Sequence, residues 1–272
     1  MGVSINKEHK DRLFVFLFGK EQNKAWTLEL YNAVNGTDYK NSDDIEINTI
    51  EDVLYMGMKN DVSFLLNSFL SLYEHQSTYN PNMPIRNLMY LGKLYDKYIK
   101  QNKLNIYGSN TIRLPIPKCV TFYNGEEYHE DQELHLTDAF DKADRDKSDV
   151  EVTVRMININ SGCNKNMIMA CRPLYEYSWL IGEIRKNKKI MGIEEAVDKA
   201  LEDMPEDFVI LEYIRMNRAE VKDMCLTEYN EAETMKMIRD EAKEEGKAEE
   251  KSTILKAIDE GATLEDIKRM LS

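Results

Sequence analysis

Apolar and polar positions along this chain repeat first with the period of a helix, then with that of a strand, and then with that of a helix again. Residues 11 to 18 carry the unbroken run Leu13-Phe14-Val15-Phe16-Leu17-Phe18, closed by Gly19, which predicts a short buried helix. Residues 22 to 35 place apolar side chains three and four apart and stop at Gly36, the pattern of an amphipathic helix. The period then shortens. Residues 44 to 58, 60 to 67 and 69 to 77 predict three strands joined by short turns, and an antiparallel meander is their simplest arrangement. Asn80-Pro81-Asn82-Met83-Pro84 supplies a turn and a helix start, after which Ile85, Leu88, Met89, Leu91, Leu94, Tyr95, Tyr98 and Ile99 recur at helical spacing. Lys118 to Tyr123 is a short apolar run closed by Asn124-Gly125, and Val150 to Ile159 alternates as a further strand. From Pro173 onward the pattern is helical, over 174 to 187, 193 to 204, 208 to 217, 226 to 258 and 264 to 271. The expected organisation is an α/β domain over residues 1–172 followed by a separate helical region over 173–272.

Strand periodicity also places candidate chemistry. Side chains alternate faces along a strand, so Glu74 and Gln76 point one way and His75 the other. If the strand that begins near Asp61 pairs beside this one, two carboxylates and an amide converge. Such oxygen donors suit a hard divalent cation such as Mg²⁺, which keeps several waters for hydrolysis. A lone Asp at a strand start is commonly a turn residue and a lone Glu in a strand commonly faces solvent. Here Leu65, Leu66, Leu70 and Leu72 make both strands apolar enough to be central, where an uncompensated carboxylate is costly. His75 reads as structural. Arg86 and Tyr90, one helical turn apart, either reach a phosphate or brace the sheet. His129 and His135 lie in an acidic loop without ligand-like partners.

Composition narrows the classes. The chain has 272 residues, is 42% hydrophobic and carries a net charge of -13, which argues against a protein that coats nucleic acid through overall electrostatics. The average hides a segment of opposite sign: between residues 83 and 118, Arg86, Lys93, Lys97, Lys100, Lys103, Arg113 and Lys118 face a single acid, Asp96. A local patch of this kind can steer a polyanion over about a Debye length, roughly 8 Å at physiological salt. Cys119, Cys163, Cys171 and Cys225 form no CxxC pair and read as free thiols. With no apolar run of roughly 18 residues and no signal-like N-terminus, the expectation is a cytoplasmic chain that makes no membrane contact.

The order Lys10-Asp11-Arg12-Leu13-Phe14, Glu29-Leu30-Tyr31-Asn32-Ala33-Val34-Asn35-Gly36, Asp61-Val62, Glu74-His75-Gln76-Ser77-Thr78, Met83-Pro84-Ile85-Arg86, Tyr90 and Phe122-Tyr123-Asn124-Gly125 resembles the Rpn family of recombination-promoting nucleases, transposase-like PD-(D/E)xK proteins. The resemblance spans roughly residues 8 to 175. It implies a restriction-endonuclease-like mixed central sheet flanked by helices, cutting DNA with Mg²⁺ or Mn²⁺. It further implies Asp61 and Glu74 as metal ligands and Gln76 in the place where the wider superfamily has lysine. Glutamine can orient water but brings no charge to the phosphate. Glu29 is the candidate for an extra acid from an early helix. Arg86, Lys93, Lys97 and Lys100 are the candidate DNA contacts.

This leaves two functional expectations: a metal-dependent endodeoxyribonuclease, and a catalytically silent interaction scaffold whose C-terminal helices mediate self-association. The opposite charges of the acidic tail and the 83 to 118 segment add tail-mediated inhibition, to be tested by truncation near residue 218.

Overall fold

The computed structural model describes residues 12–49 and 61–230, together with residues 234, 237, 240 and 244, all four helical. The expected strand positions between 50 and 60, the start of the first helix at residue 11 and the expected terminal helix at 264 to 271 lie outside the described residues, as do Lys10 and Asp11. The chain divides into two units, Met1–Glu228 and Tyr229–Ser272. The sheet and the helices that cover it belong to the first.

Helices α1 (Leu13–Phe18) and α2 (Lys24–Asn35) come first, and α2 ends on Gly36 at φ 63°, a left-handed cap that glycine adopts without a Cβ penalty. Strand β1 (Ile45–Ile47) pairs antiparallel with β2 (Val62–Leu66), which forms a hairpin with β3 (Phe69–Gln76) in the register Val62↔Tyr73 to Leu66↔Phe69. Only two residues turn that hairpin. Asn67 sits there at φ 54°, a conformation that asparagine tolerates better than most residues. Helix α3 (Met83–Gln101), with Pro84 in its first turn, then carries the chain across to β4 (Ile116–Tyr123), which runs parallel to β3. Strands β5 (Gln132–His135) and β6 (Thr153–Asn158) complete a mixed sheet of order β1-β2-β3-β4-β6-β5, with β4 and β6 parallel and β5 antiparallel at the edge. The expected meander of the first three strands is present.

The two faces of the sheet are covered by different helices. On one, Leu70 and Leu72 pack with Tyr90 and Leu94 of α3. On the other, Phe14 of α1 lies 5.2 Å from Phe122, Tyr31 of α2 6.0 Å from Phe64, and Asn35 of α2 donates to the Tyr73 hydroxyl at 3.3 Å. This second face is also where helix α5 (Arg172–Lys188) docks. It follows α4 (Lys165–Ala170) and precedes α6 (Ile193–Glu202), α7 (Leu211–Met216) and a helical run over 218–230.

The expected domain boundary at 172/173 is therefore not where the structure divides. Leu174, Tyr177, Leu180 and Ile184 of α5 are buried, and Val221, Met224 and Cys225 are buried farther on, so the sheet and α5–α7 share one core. A helical period says that a face is buried, not against what. Ile85, Leu88 and Met89 differ in the other direction: their spacing assigns them to the buried stripe of α3, yet more than a third of each is exposed.

Candidate functional site

The site begins with the hairpin register. Since Val62 stands opposite Tyr73, the residue before Val62 reaches the level of Glu74. Asp61 and Glu74 meet there in both directions: the Asp61 N–H donates to Glu74 Oε1 at 3.1 Å, and the N–H of His75 donates to Asp61 Oδ2 at 2.7 Å. Glu74 is only 1% exposed, on the face covered by α3. Its other oxygen accepts from Arg86 Nη2 at 3.1 Å, and Arg86 is itself held by Tyr90, whose hydroxyl accepts from Nη2 at 3.0 Å and Nε at 3.3 Å. Of the two roles open to the Arg86 and Tyr90 pair, bracing is the one formed here.

Burial pushes the Glu74 carboxyl up to about 8, the nearby Asp61 charge adds to the rise, and Arg86 opposes it. Tyr90 is pushed up to about 12, chiefly by burial and then by the Glu74 charge. Gln76 follows two residues along on the same face, 4% exposed, with neither its amide nitrogen nor its oxygen bonded to any group among the described residues. Asp61, Glu74 and Gln76 are thus brought to one region of the sheet.

Glu29 is not. It sits on α2, which packs on the opposite face, where it lines an open groove with Asn32 and Met167. Its carboxyl is raised by burial, against a backbone hydrogen bond from Arg172, and Glu176 raises it further. The correction has a simple cause: an acid on an amphipathic helix carries no signal for which side of the sheet that helix covers. Lys93, Lys97 and Lys100 follow Arg86 along α3 at spacings of seven, four and three, so all four share one flank of the helix. Lys100 is partly neutralised by Asp96 at 2.7 Å.

His75 turns to the other face, as alternation requires. It stacks on Phe14 at 5.3 Å, its Nε2 lies 2.9 Å from the Tyr177 hydroxyl, and its Nδ1 lies 3.3 Å from Glu228 Oε1. The Tyr177 hydroxyl also accepts from Asn124 Nδ2 at 3.0 Å, and Arg12 Nη1 donates to the His75 carbonyl at 2.9 Å. Burial drives the imidazole well below its ordinary value, with Arg12 and Arg185 acting in the same direction. A neutral, fully enclosed imidazole is a structural one. His129 stacks on Tyr79 at 4.2 Å, and its Nε2 lies 3.9 Å from Glu127 Oε2.

Comparison with protein-family models, curated proteins and solved structures returns no match. Function therefore rests on the chemistry of the site itself.

No cluster of three or more His, Cys, Asp or Glu suited to a metal occurs among the described residues. The donor set is instead two acids and an amide. Each carboxylate oxygen named above uses one lone pair on a hydrogen bond and keeps another, which fits an oxygen-seeking divalent cation that retains water ligands. Two further buried polar residues lie on the elements that frame this region: Thr121, opposite Glu74 in the β3–β4 register, and Asn87 on α3. No motif marks them: each merely occupies a position where the local pattern asks for an apolar residue.

Proposed function

We propose that this chain is a divalent-metal-dependent endodeoxyribonuclease of the recombination-promoting, transposase-like class, with a restriction-endonuclease-like core. The observation that supports it most is the pair of half-buried Asp61, just before β2, and buried Glu74 on β3, held to each other through the main chain with Gln76 two residues along the same face. A carboxyl raised by burial and by a neighbouring acid is a feature that clusters at functional sites. Asp61 and Glu74 would hold Mg²⁺ or Mn²⁺, and Gln76 would orient water. A metal bound there would supply Lewis acidity at the phosphate and a more acidic bound water. Lys93, Lys97 and Lys100 would contact the DNA backbone, which binds through phosphate charge rather than base identity, and Arg86 would join them only on release from Glu74. The expected setting is the cytoplasm, with the C-terminal helices available for self-association.

The ion pair between Arg86 and Glu74 favours a second reading, a catalytically silent interaction scaffold, because that guanidinium already compensates the acid in the absence of a cation. Cleavage of supercoiled plasmid separates the two. Purified protein is incubated with Mg²⁺, Mn²⁺, Ca²⁺ or EDTA beside Asp61→Ala and Glu74→Ala. Metal-dependent nicking that both substitutions abolish supports the nuclease; nicking unchanged in Asp61→Ala refutes it, and no cutting by any folded form leaves the scaffold.

A further inference from the structure

Five polar atoms on the Glu74 face have no hydrogen-bond partner among the described residues: Gln76 Nε2 and Oε1, Thr121 Oγ1, Asn87 Oδ1 and, opposite Leu72 on β2, Ser63 Oγ. Their places in the fold bring them together. In the parallel β3–β4 ladder Thr121 stands opposite Glu74 and Tyr123 opposite Gln76, so Thr121 shares the face and lies beside both acid and amide. Asn87 belongs to the buried side of α3, four residues after Met83, which packs in the cluster containing Tyr123 and Met156, and three before Tyr90, which packs in the cluster containing Leu70 and Leu72. Its amide nitrogen donates to the Met83 carbonyl at 3.0 Å, leaving Oδ1 as the acceptor still to be satisfied. Thr121 and Asn87 are each 0% exposed.

A buried hydroxyl or amide left without a partner costs about 1–3 kcal/mol, and native interiors carry few of them. Here Thr121 and Gln76 leave such atoms beside Glu74 on the β3–β4 ladder, Asn87 leaves one on the buried side of α3 that covers this face, and none of the three bonds another. Polar groups left in this way are bridged by water, which typically makes about three hydrogen bonds to otherwise unsatisfied atoms. Valine has the shape of threonine without the hydroxyl, so packing alone does not account for the polar atom at Thr121.

We propose that Thr121 and Asn87 are positioning residues that, together with Gln76, bind ordered water between α3 and the β3–β4 ladder and hold it beside Glu74. The use of that water in hydrolysis rests on the nuclease reading; its binding does not.

The test uses the full chain and the variants Thr121→Val, Thr121→Ser and Asn87→Leu. The first readout is thermal unfolding, which involves neither metal nor DNA. A hydrated site strands its water when a ligand is removed, so Thr121→Val and Asn87→Leu lower the midpoint by roughly 2–4 °C while Thr121→Ser keeps it. A dry site gives the opposite sign, since removing an unpaired hydroxyl relieves a cost; a midpoint unchanged or raised in Thr121→Val overturns the proposal. A crystal structure with solvent density bonded to Thr121 Oγ1 and Asn87 Oδ1 supports it, and protein atoms filling that space overturn it. The second readout is plasmid cleavage. The positioning role requires kcat to fall at least tenfold in Thr121→Val with KM unchanged and to return in Thr121→Ser, and an unchanged kcat overturns that role. Wild-type protein that never cuts DNA, yet shows the expected midpoints and solvent density, removes the nuclease reading and leaves the hydration site standing.

Discussion

Asp61 and Glu74 are bound to each other through the main chain: the N–H of Asp61 donates to the Glu74 carboxylate, and the N–H that follows Glu74 donates to the Asp61 carboxylate. Neither side chain can swing without releasing a backbone donor, so the spacing of the two acids is set by the hairpin rather than by rotamer choice.

Asp61→Asn keeps an acceptor for the His75 N–H and deletes the charge. The expected result is a folded protein whose metal-dependent nicking falls at least 100-fold, in the range seen when a principal electrostatic group is removed. The Glu74 carboxyl should also titrate lower, because a like charge that raises it has gone. Carboxyl-edited NMR of labelled protein reads the second effect independently of the first.

Glu74 gives a pH dependence of definite sign. Its folded value is raised from 4.5 to about 8, so between those limits the folded chain holds a proton that the unfolded chain has lost. Its contribution is present in full below pH 4.5 and declines as pH rises toward 8, by up to about 1.4 kcal/mol per pH unit. Urea denaturation of wild type and Glu74→Gln should therefore show the variant gaining on the wild type across this window. Because a cation needs the ionised acid, metal affinity should rise with pH until about 8 and level off there.

Arg86→Met should cost about 1 kcal/mol near pH 6, where the loss is that of hydrogen bonds to Glu74 and Tyr90, and more near pH 9, where an ionised Glu74 would be left buried without its cation. Equal destabilisation at the two pH values, measured by denaturant titration, would contradict this account of the pair.

Tyr177→Phe removes the hydroxyl that links His75 Nε2 to Asn124 Nδ2 on the far face of the sheet. A loss of about 1–2 kcal/mol in stability is expected, with metal affinity at Asp61 and Glu74 unchanged in calorimetry.

Truncation near residue 218, suggested by the charge pattern, would strip Val221, Met224 and Cys225 from the core and remove Glu228 from His75. A chain ending at Glu228 keeps these residues and respects the division of the structure. If the acidic tail restrains the site, that shorter chain should cut faster; equal rates would dismiss the idea.

The fold is legible in the sequence where local pattern and tertiary burial agree. The β2–β3 hairpin and α3 declare themselves by period and by their turn residues, and alternation alone separates Glu74 and Gln76 from His75. Strand β5 does not show, because Gln132-Glu133-Leu134-His135 buries Leu134 alone and joins the sheet at its edge, where polar side chains are tolerated. The docking of α5 is illegible for a different reason: Tyr177 meets His75 across 102 residues, and no period records such a partner. Thr121 and Asn87 stay hidden because an isolated polar residue in an apolar pattern looks like noise until its neighbours are known.

Strand β3 serves two masters in successive residues: Glu74 and Gln76 furnish the candidate site on one face, and His75 ties α1, α5 and Glu228 together on the other. A one-residue slip against β2 and β4 would exchange the two sets, driving a carboxylate among Phe14 and Tyr177 and presenting an imidazole to Arg86. This stretch should consequently accept conservative replacements yet reject any single-residue insertion or deletion, because its meaning lies in parity as much as in identity.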